Sequence, residues 1–158
     1  MLVDKELPNR KQNRQTAHDY RANGVYFVTV VTVQRLELLG KIKNDCMALS
    51  DVGKVAADCI EKIEMIYPSV IVAASVVMPN HVHMLLQLLD EKKNPSVARI
   101  VQQWKGAVSK QAGYSLWQDR FHDNIVLTAK EYRTIKTYIK LNPTKWAEDR
   151  FHPPLAEL

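Results

Sequence analysis

The sequence predicts an α+β domain with the ferredoxin-like order β-α-β-β-α-β, followed by one more helix that carries a tyrosine. Stretches rich in β-branched and aromatic residues alternate with stretches of helical periodicity. Two β stretches are separated only by the turn signal Pro79-Asn80, which predicts an antiparallel hairpin. The chain has 158 residues, a length typical of one domain with a sizeable core.

The first half of the chain predicts one strand, one helix and then the hairpin. Residues 24–33 are β-branched and aromatic and form the first strand. Apolar residues then recur with helical spacing from Ser50, which can cap the helix, to Pro68, which ends it. Residues 69–78 and 81–89 are apolar at nearly every position, as expected for central strands that are covered on at least one face.

The second half predicts two helices with a short strand between them. Asn94 and the proline after it open the first of these helices, and Gly113 ends it. Residues 121–127 form the short fourth strand of the sheet. A capping box that starts at Thr128 begins the last helix, which reaches about Asn142. Both main helices are expected on one face of the sheet.

The chain divides into three segments by composition. Residues 1–23 are expected to form a basic N-terminal arm, residues 24–145 the domain that carries the chemistry, and residues 146–158 a C-terminal tail. The formal net charge is +5, which favours a polyanionic partner, although a solubilising surface would give the same value.

The cellular location is predicted from the lack of membrane-span and signal-peptide patterns and from the expected state of the cysteines. No apolar run of roughly 18 or more residues predicts a membrane span, and no signal peptide is recognised at the start. Cys46 and Cys59 are expected in or near one helix, too far apart to bridge, and therefore reduced. These observations predict a cytoplasmic protein.

The spacing of His81 and His83 is the strongest functional signal. Side chains alternate across a strand, so both imidazoles point to one face and Val82 points to the other. If Val82 faces the helices, the histidines lie on the opposite face of the sheet. Two imidazoles on a rigid face can hold one divalent metal ion with positions open for water and substrate. Two histidines of this kind can also be ordinary hydrogen-bonded residues.

Tyr138 and Asn142 lie one helical turn apart in the last predicted helix, so they share a face. An Asn142 oxygen on the metal would bring Tyr138 within reach of a phosphate bound there. A tyrosine hydroxyl with its usual pKa of about 10 needs a nearby cation to act as a nucleophile at neutral pH. A packing role for Tyr138 is the alternative. The metal or a lysine could supply the cation, and the lysine candidates are Lys136, Lys140 and Lys145.

These motifs resemble a known family. The segment 76–86, with its two histidines, resembles the HUH motif (His, hydrophobic, His) of the single-tyrosine transposases of small bacterial insertion sequences. Tyr138-Ile139-Lys140-Leu141-Asn142-Pro143 closely resembles the Tyr-Ile-x-x-Asn-Pro signature of the REP-associated tyrosine transposases. The resemblance covers roughly residues 20–145.

The resemblance implies a metal-dependent endonuclease and strand transferase that acts on single-stranded DNA beside hairpins. Tyr138 would be the nucleophile and would form a 5′-phosphotyrosine link. His81, His83 and Asn142 would bind Mg²⁺ or Mn²⁺. Members of this family include monomers and dimers that exchange the tyrosine helix, so the resemblance leaves both states open.

The predicted DNA contacts are basic side chains and one histidine: Arg10, Lys11, Arg14, Arg21, Lys105, Lys136, Lys140 and His122. His122 could instead be a general acid-base or a hydrogen-bonded strand residue. Two other functions are compatible with the sequence. One is a nucleic-acid-binding module of the same fold without catalysis, and the other is a small metalloprotein unrelated to nucleic acid.

Overall fold

The computed structural model of the protein describes residues 19–153. No helix in that range is long and apolar enough to cross a membrane. The strands are β1 (Gly24–Val31), β2 (Gly40–Lys43), β3 (Cys46–Leu49), β4 (Val70–Val77), β5 (His81–Leu88) and β6 (His122–Val126). The α-helices are α1 (Asp51–Glu61), α2 (Ile63–Ile66), α3 (Val97–Ala112) and α4 (Ala129–Leu141), with short 3-10 helices at Val33–Arg35 and Pro143–Glu148.

Four strands form one antiparallel sheet in the order β4-β5-β1-β6. Counted without the β2–β3 hairpin, this is the second, third, first and fourth strand, the ferredoxin-like order. The predicted fold class is therefore confirmed. Pro79-Asn80 makes the turn between β4 and β5, as predicted from the sequence.

The two faces of the sheet have separate apolar layers. Val82, Met84 and Leu86 point to the side where α1 and α3 pack, as the alternation along β5 requires. Leu85 points to the other side, where Ile135 of α4 covers it. Helices α1 and α3 thus share one face as predicted, and α4 lies on the face that carries the histidines.

A second, two-stranded sheet formed by β2 and β3 was not predicted. Its turn residues Asn44 and Asp45 have φ values of 51° and 62°, as a two-residue hairpin turn requires. The prediction that Cys46 lies in or near the helix of Cys59 was wrong, because Cys46 belongs to β3 and is exposed, whereas Cys59 is buried in α1.

Several helix ends differ from the predicted ones. The single helix predicted up to Pro68 is divided into α1 and α2 around Lys62. Ser50 caps α1 as expected, with its hydroxyl oxygen accepting from the Gly53 N–H. Helix α3 is capped by Ser96 rather than opened at Asn94. The Asn94 side chain is used elsewhere and donates to the Arg21 carbonyl at 2.9 Å.

The segment that follows α4 packs on the sheet. Trp146 and Phe151 are buried together with Val31 and Met78. Residues 146–153 therefore form part of the folded domain, although the sequence predicted a tail from residue 146. Two large aromatic side chains anchor this stretch despite its lack of helical or strand periodicity.

Candidate active site

The two histidines of β5 lie side by side on the face covered by α4. Their ring centroids are 4.7 Å apart with the rings inclined at 71°, and both residues are fully buried. The prediction that they share a face is confirmed by the ladder, in which His81 lies opposite Val31 and His83 opposite Thr29. From the sequence, coordination positions open to water and substrate were expected beside the two histidines. In this structure the Phe151 ring covers that space, 4.5 Å from the His81 ring.

The orientation of the Asn80 amide sets the tautomer of the neutral His81 ring. The Asn80 amide donates through Nδ2 to two carbonyls, that of Phe151 at 2.7 Å and that of Arg35 at 3.2 Å. Its Oδ1 must therefore face His81 Nδ1, 2.9 Å away, as an acceptor. In the neutral imidazole, Nδ1 of His81 therefore carries the proton and Nε2 has the lone pair that can bind a metal ion.

His83 has a matching contact on the neighbouring strand. Its Nδ1 lies 2.8 Å from Thr29 Oγ1, and this oxygen can accept a hydrogen bond from the ring N–H. Thr29 also lies opposite His122 of β6. Residues directly opposite in antiparallel strands share a face, so His83, Thr29 and His122 form one row across three strands. The half-buried His122 thus lies on the face of the candidate site.

Helix α4 brings the predicted tyrosine to the histidines. The Tyr138 ring centroid lies 5.4 Å from that of His83 and contacts Phe27 edge-on at 6.4 Å. Only 9% of Tyr138 is exposed. Both residues belong to the same chain, so the candidate nucleophile and the paired imidazoles meet within one subunit.

Asn142 lies one turn after Tyr138, at the end of α4. Its Nδ2 donates to the Tyr138 carbonyl at 3.0 Å, which fixes the orientation of the amide. Its Oδ1 is buried and accepts no hydrogen bond from any donor among residues 19–153. A buried amide oxygen without a donor carries a large free-energy cost, and a cation would remove that cost.

These donors suit a hard divalent cation that keeps part of its water shell. Two imidazoles and one amide oxygen supply few protein ligands, as is common for Mg²⁺ and related ions. Within residues 19–153, no three His, Cys, Asp or Glu side chains converge into a metal site. A cation held by His81 and His83 would therefore need the Asn142 oxygen or water as a further donor.

One residue at the site was not predicted. Oδ2 of Asp149 lies 3.7 Å from Nε2 of His81, and the Asp149 side chain is 3% exposed. Asp149 follows the 3-10 helix, in the stretch predicted to be a tail. The aromatic residues at 146 and 151 are the only signal in the sequence that this stretch folds back.

The predicted DNA contacts are scattered. Arg10, Lys11 and Arg14 lie outside the described residues. Arg21 is exposed and its Nε donates to the Asn94 carbonyl at 3.3 Å. Lys136 and Lys140 are exposed one turn apart on α4, and Lys136 Nζ lies 5.6 Å from the Tyr132 ring.

Lys105 differs from the other predicted contacts, because it is 8% exposed. Its Nζ donates to the carbonyls of Gln118 and Asp119 at 2.7 and 3.3 Å. Burial lowers the pKa of this ammonium, and the nearby Asp119 carboxylate partly opposes that shift. This placement favours a structural role, in which Lys105 stabilises residues 118–119 through their carbonyls. The prediction that Lys105 contacts DNA is corrected accordingly.

Comparison with solved structures identifies the fold. A REP-associated tyrosine transposase, solved bound to a REP hairpin, matches with a TM-score of 0.66 and 24% identity over 84% of this chain and 73% of that one. The chain shares that transposase's fold. A candidate transposase from Deinococcus radiodurans R1 matches with a TM-score of 0.52 and 18% identity over 80% of this chain and 96% of that one.

Sequence comparison gives one further relative. An uncharacterized protein of Haemophilus influenzae is 27% identical, and the match covers 92% of this chain and 94% of that protein. No family model matches the chain. The transposase-like fold agrees with the resemblance of the histidine and tyrosine motifs.

Proposed function

We propose that the protein is a transposase-like enzyme that cleaves and rejoins single-stranded DNA through a covalent link to Tyr138. The observation that carries the proposal is the placement of the Tyr138 ring 5.4 Å from His83, with Asn142 bonded to the tyrosine carbonyl. The same helix end therefore carries the tyrosine and the buried Asn142 oxygen. The sequence motifs and the fold of the transposase relatives support the same reaction.

In the proposed reaction, the Tyr138 hydroxyl oxygen attacks a backbone phosphorus. The phenol proton passes to water, the bond from phosphorus to the 3′-oxygen breaks, and that oxygen takes up a proton. The products are a 5′-phosphotyrosine ester and a free 3′-hydroxyl. A second 3′-hydroxyl can reverse the step, since the ester keeps the energy of the broken bond. Strands are thereby rejoined without ATP.

His81, His83 and Asn142 would hold Mg²⁺ or Mn²⁺ beside the tyrosine. When bound, the ion neutralises charge on the non-bridging phosphate oxygens and favours the phenolate form of tyrosine. The side chains of Asn80 and Thr29 hold Nδ1 of the two imidazoles, which would leave Nε2 of each ring for the ion. The buried Asn142 oxygen would add the third donor.

The proposed substrate is a DNA hairpin with single-stranded flanks. The net charge of +5 and the exposed pair Lys136 and Lys140, on the helix that carries the tyrosine, fit a polyanion. The complex with a REP hairpin belongs to the relative and supports the choice of hairpin DNA as a probe. Because the histidines are fully buried, substrate entry requires movement of the chain that covers them.

The test is covalent trapping. Labelled hairpin DNA with single-stranded flanks is incubated with the protein and Mn²⁺, and adducts are resolved under denaturing conditions. Wild type is expected to form an adduct, and Tyr138→Phe none. Tyr132→Phe is the matched control, because it removes a hydroxyl from the same helix at a position before Tyr138. It should retain the adduct.

Two results would favour the alternatives. Equal hairpin binding by wild type and Tyr138→Phe, with no adduct from either, would indicate a binding module without catalysis. Weak DNA binding that hardly changes with salt would indicate a metalloprotein unrelated to DNA, because phosphate contacts make affinity fall steeply as salt rises.

A further inference from the structure

We infer that Asp149 supplies the negative charge of the cation site and couples cation binding to docking of residues 143–153 on the sheet. The inference rests on the proposed function, because it concerns the same cation. It assigns a positioning role to a carboxylate that lies outside both sequence motifs. It also gives the C-terminal segment a part in building the site.

The carboxylate is directed at the candidate cation position. Its Oδ2 lies 3.7 Å from Nε2 of His81, the nitrogen whose lone pair is set by the Asn80 contact. Two atoms that bind one ion at about 2.1 Å and at right angles lie about 3 Å apart. At 3.7 Å from Nε2, Oδ2 lies beyond that separation, and within residues 19–153 Asp149 does not complete a three-ligand site with His81 and His83. Oδ2 would therefore act on a cation held by His81 through a bound water.

The charge of the donor set explains the need for this residue. The donors predicted from the motifs, His81, His83 and Asn142, are all neutral. Mg²⁺ and Mn²⁺ favour carboxylate oxygens, and a buried dication with only neutral donors leaves its charge uncompensated. Asp149 is an acidic side chain in contact with His81, so it can supply this compensating charge.

The C-terminal segment holds this carboxylate in place. Oδ1 of Asp149 accepts from the Phe151 N–H at 2.8 Å, and the Asp149 N–H donates to the Trp146 carbonyl at 3.0 Å. The Phe151 carbonyl accepts from the Asn80 amide at 2.7 Å. The Trp146 and Phe151 rings lie 6.1 and 4.5 Å from the His81 ring, so the segment contacts His81 through residues on both sides of Asp149.

Cation binding and segment docking must then favour each other. A cation that interacts with Asp149 only in the docked state shifts the segment toward docking, and docking raises cation affinity by the same factor. The alternative is that Asp149 does no more than accept the Phe151 N–H bond.

Asp149→Asn separates these roles. The amide keeps an oxygen that can accept from the Phe151 N–H, but it loses the negative charge. Glu148→Gln is the matched control, since it removes one negative charge from the exposed preceding residue. Titration calorimetry with Mn²⁺ on all three proteins measures affinity without any DNA or activity. Asp149→Asn is expected to bind Mn²⁺ about tenfold or more weakly, and Glu148→Gln like wild type.

Hydrogen exchange tests the coupling. In wild type, Mn²⁺ should slow amide exchange across residues 146–151, and in Asp149→Asn this effect should be lost. Equal Mn²⁺ affinity in wild type and a folded Asp149→Asn would overturn the inference while leaving the cation site intact. Absence of Mn²⁺ binding by wild type would overturn the cation site of the proposed function and this role with it.

Discussion

The hydroxyl oxygen of Thr29 lies 2.8 Å from Nδ1 of His83, across the two central strands of the sheet. Both residues are buried, so this contact fixes the rotation of the imidazole from the far side of the candidate metal position. Contacts of this kind keep a histidine in the tautomer that binds a metal ion.

Replacing Thr29 by valine keeps the shape of the side chain and removes the hydrogen bond. We expect Thr29→Val to weaken Mn²⁺ binding and to slow adduct formation by about 10- to 100-fold, because the His83 ring loses its orienting partner. Calorimetry and the trapping assay measure the two effects. Thr137→Val, at an exposed position of α4, is the control and should behave as wild type. Unchanged Mn²⁺ affinity in Thr29→Val would show that packing alone orients the ring.

The placement of Tyr138 beside His83 in one chain predicts catalysis in cis. Mixing His83→Ala with Tyr138→Phe should therefore restore no adduct, since neither subunit can supply the missing group to the other. A dimer that exchanges the tyrosine helix would recover part of the activity on mixing. The trapping assay on mixed, co-refolded variants distinguishes the two arrangements, and recovery would show that the helix is exchanged in solution.

The two cysteines should react very differently. Cys46 is exposed on β3, whereas burial raises the pKa of the Cys59 thiol and so disfavours the reactive thiolate. Because that pKa is raised, labelling of Cys59 should lag behind that of Cys46 from neutral into alkaline pH. A thiol reagent should label one cysteine in the native protein and both in denaturant. Native Cys46→Ser should stay almost unlabelled, and rapid labelling of this variant would contradict the buried position of Cys59.

Two helical glycines should respond in opposite directions to alanine. A Cβ at Gly53 would lie 2.0 Å from the Leu39 carbonyl oxygen, so Gly53→Ala should lower the free energy of unfolding by about 1–3 kcal/mol. A Cβ at Gly106 meets nothing within 4 Å, and Gly106→Ala should raise the free energy of unfolding by about 0.5–1 kcal/mol. Denaturant unfolding measures both. Equal stability of the two variants would show that α1 does not pack closely against the Leu39 backbone.

Three strands of the sheet could be predicted because they are long and largely apolar, and the turn signal Pro79-Asn80 separates two of them. The shared face of His81 and His83 follows from strand alternation, and the spacing of Tyr138 and Asn142 follows from the helix. The β2–β3 hairpin could not be predicted with the same rules, because each strand has four residues and is largely exposed. Its only signal is the turn pair Asn44-Asp45.

The hydrogen bonds that orient the side chains of the site could not be predicted from the sequence, for a different reason. The contact from Thr29 to His83 joins residues 54 positions apart, and that from Asn80 to Phe151 joins residues 71 positions apart. Such pairs depend on strand register and on the path of an aperiodic segment, and neither is encoded in a local pattern. For Lys105, the positive charge predicted a DNA contact, whereas tertiary packing buries the side chain and directs its Nζ to the Gln118 carbonyl.

The Asn80 side chain joins three parts of the fold, since it contacts the Arg35 carbonyl, the Phe151 carbonyl and the His81 ring at once. Loss of both carbonyls would free the amide to rotate by half a turn and present its NH₂ group to the ring. The imidazole would then have to move its proton to the other nitrogen. The nitrogen NMR signals of the His81 imidazole should therefore report whether the segments that contain Arg35 and Phe151 are packed against Asn80.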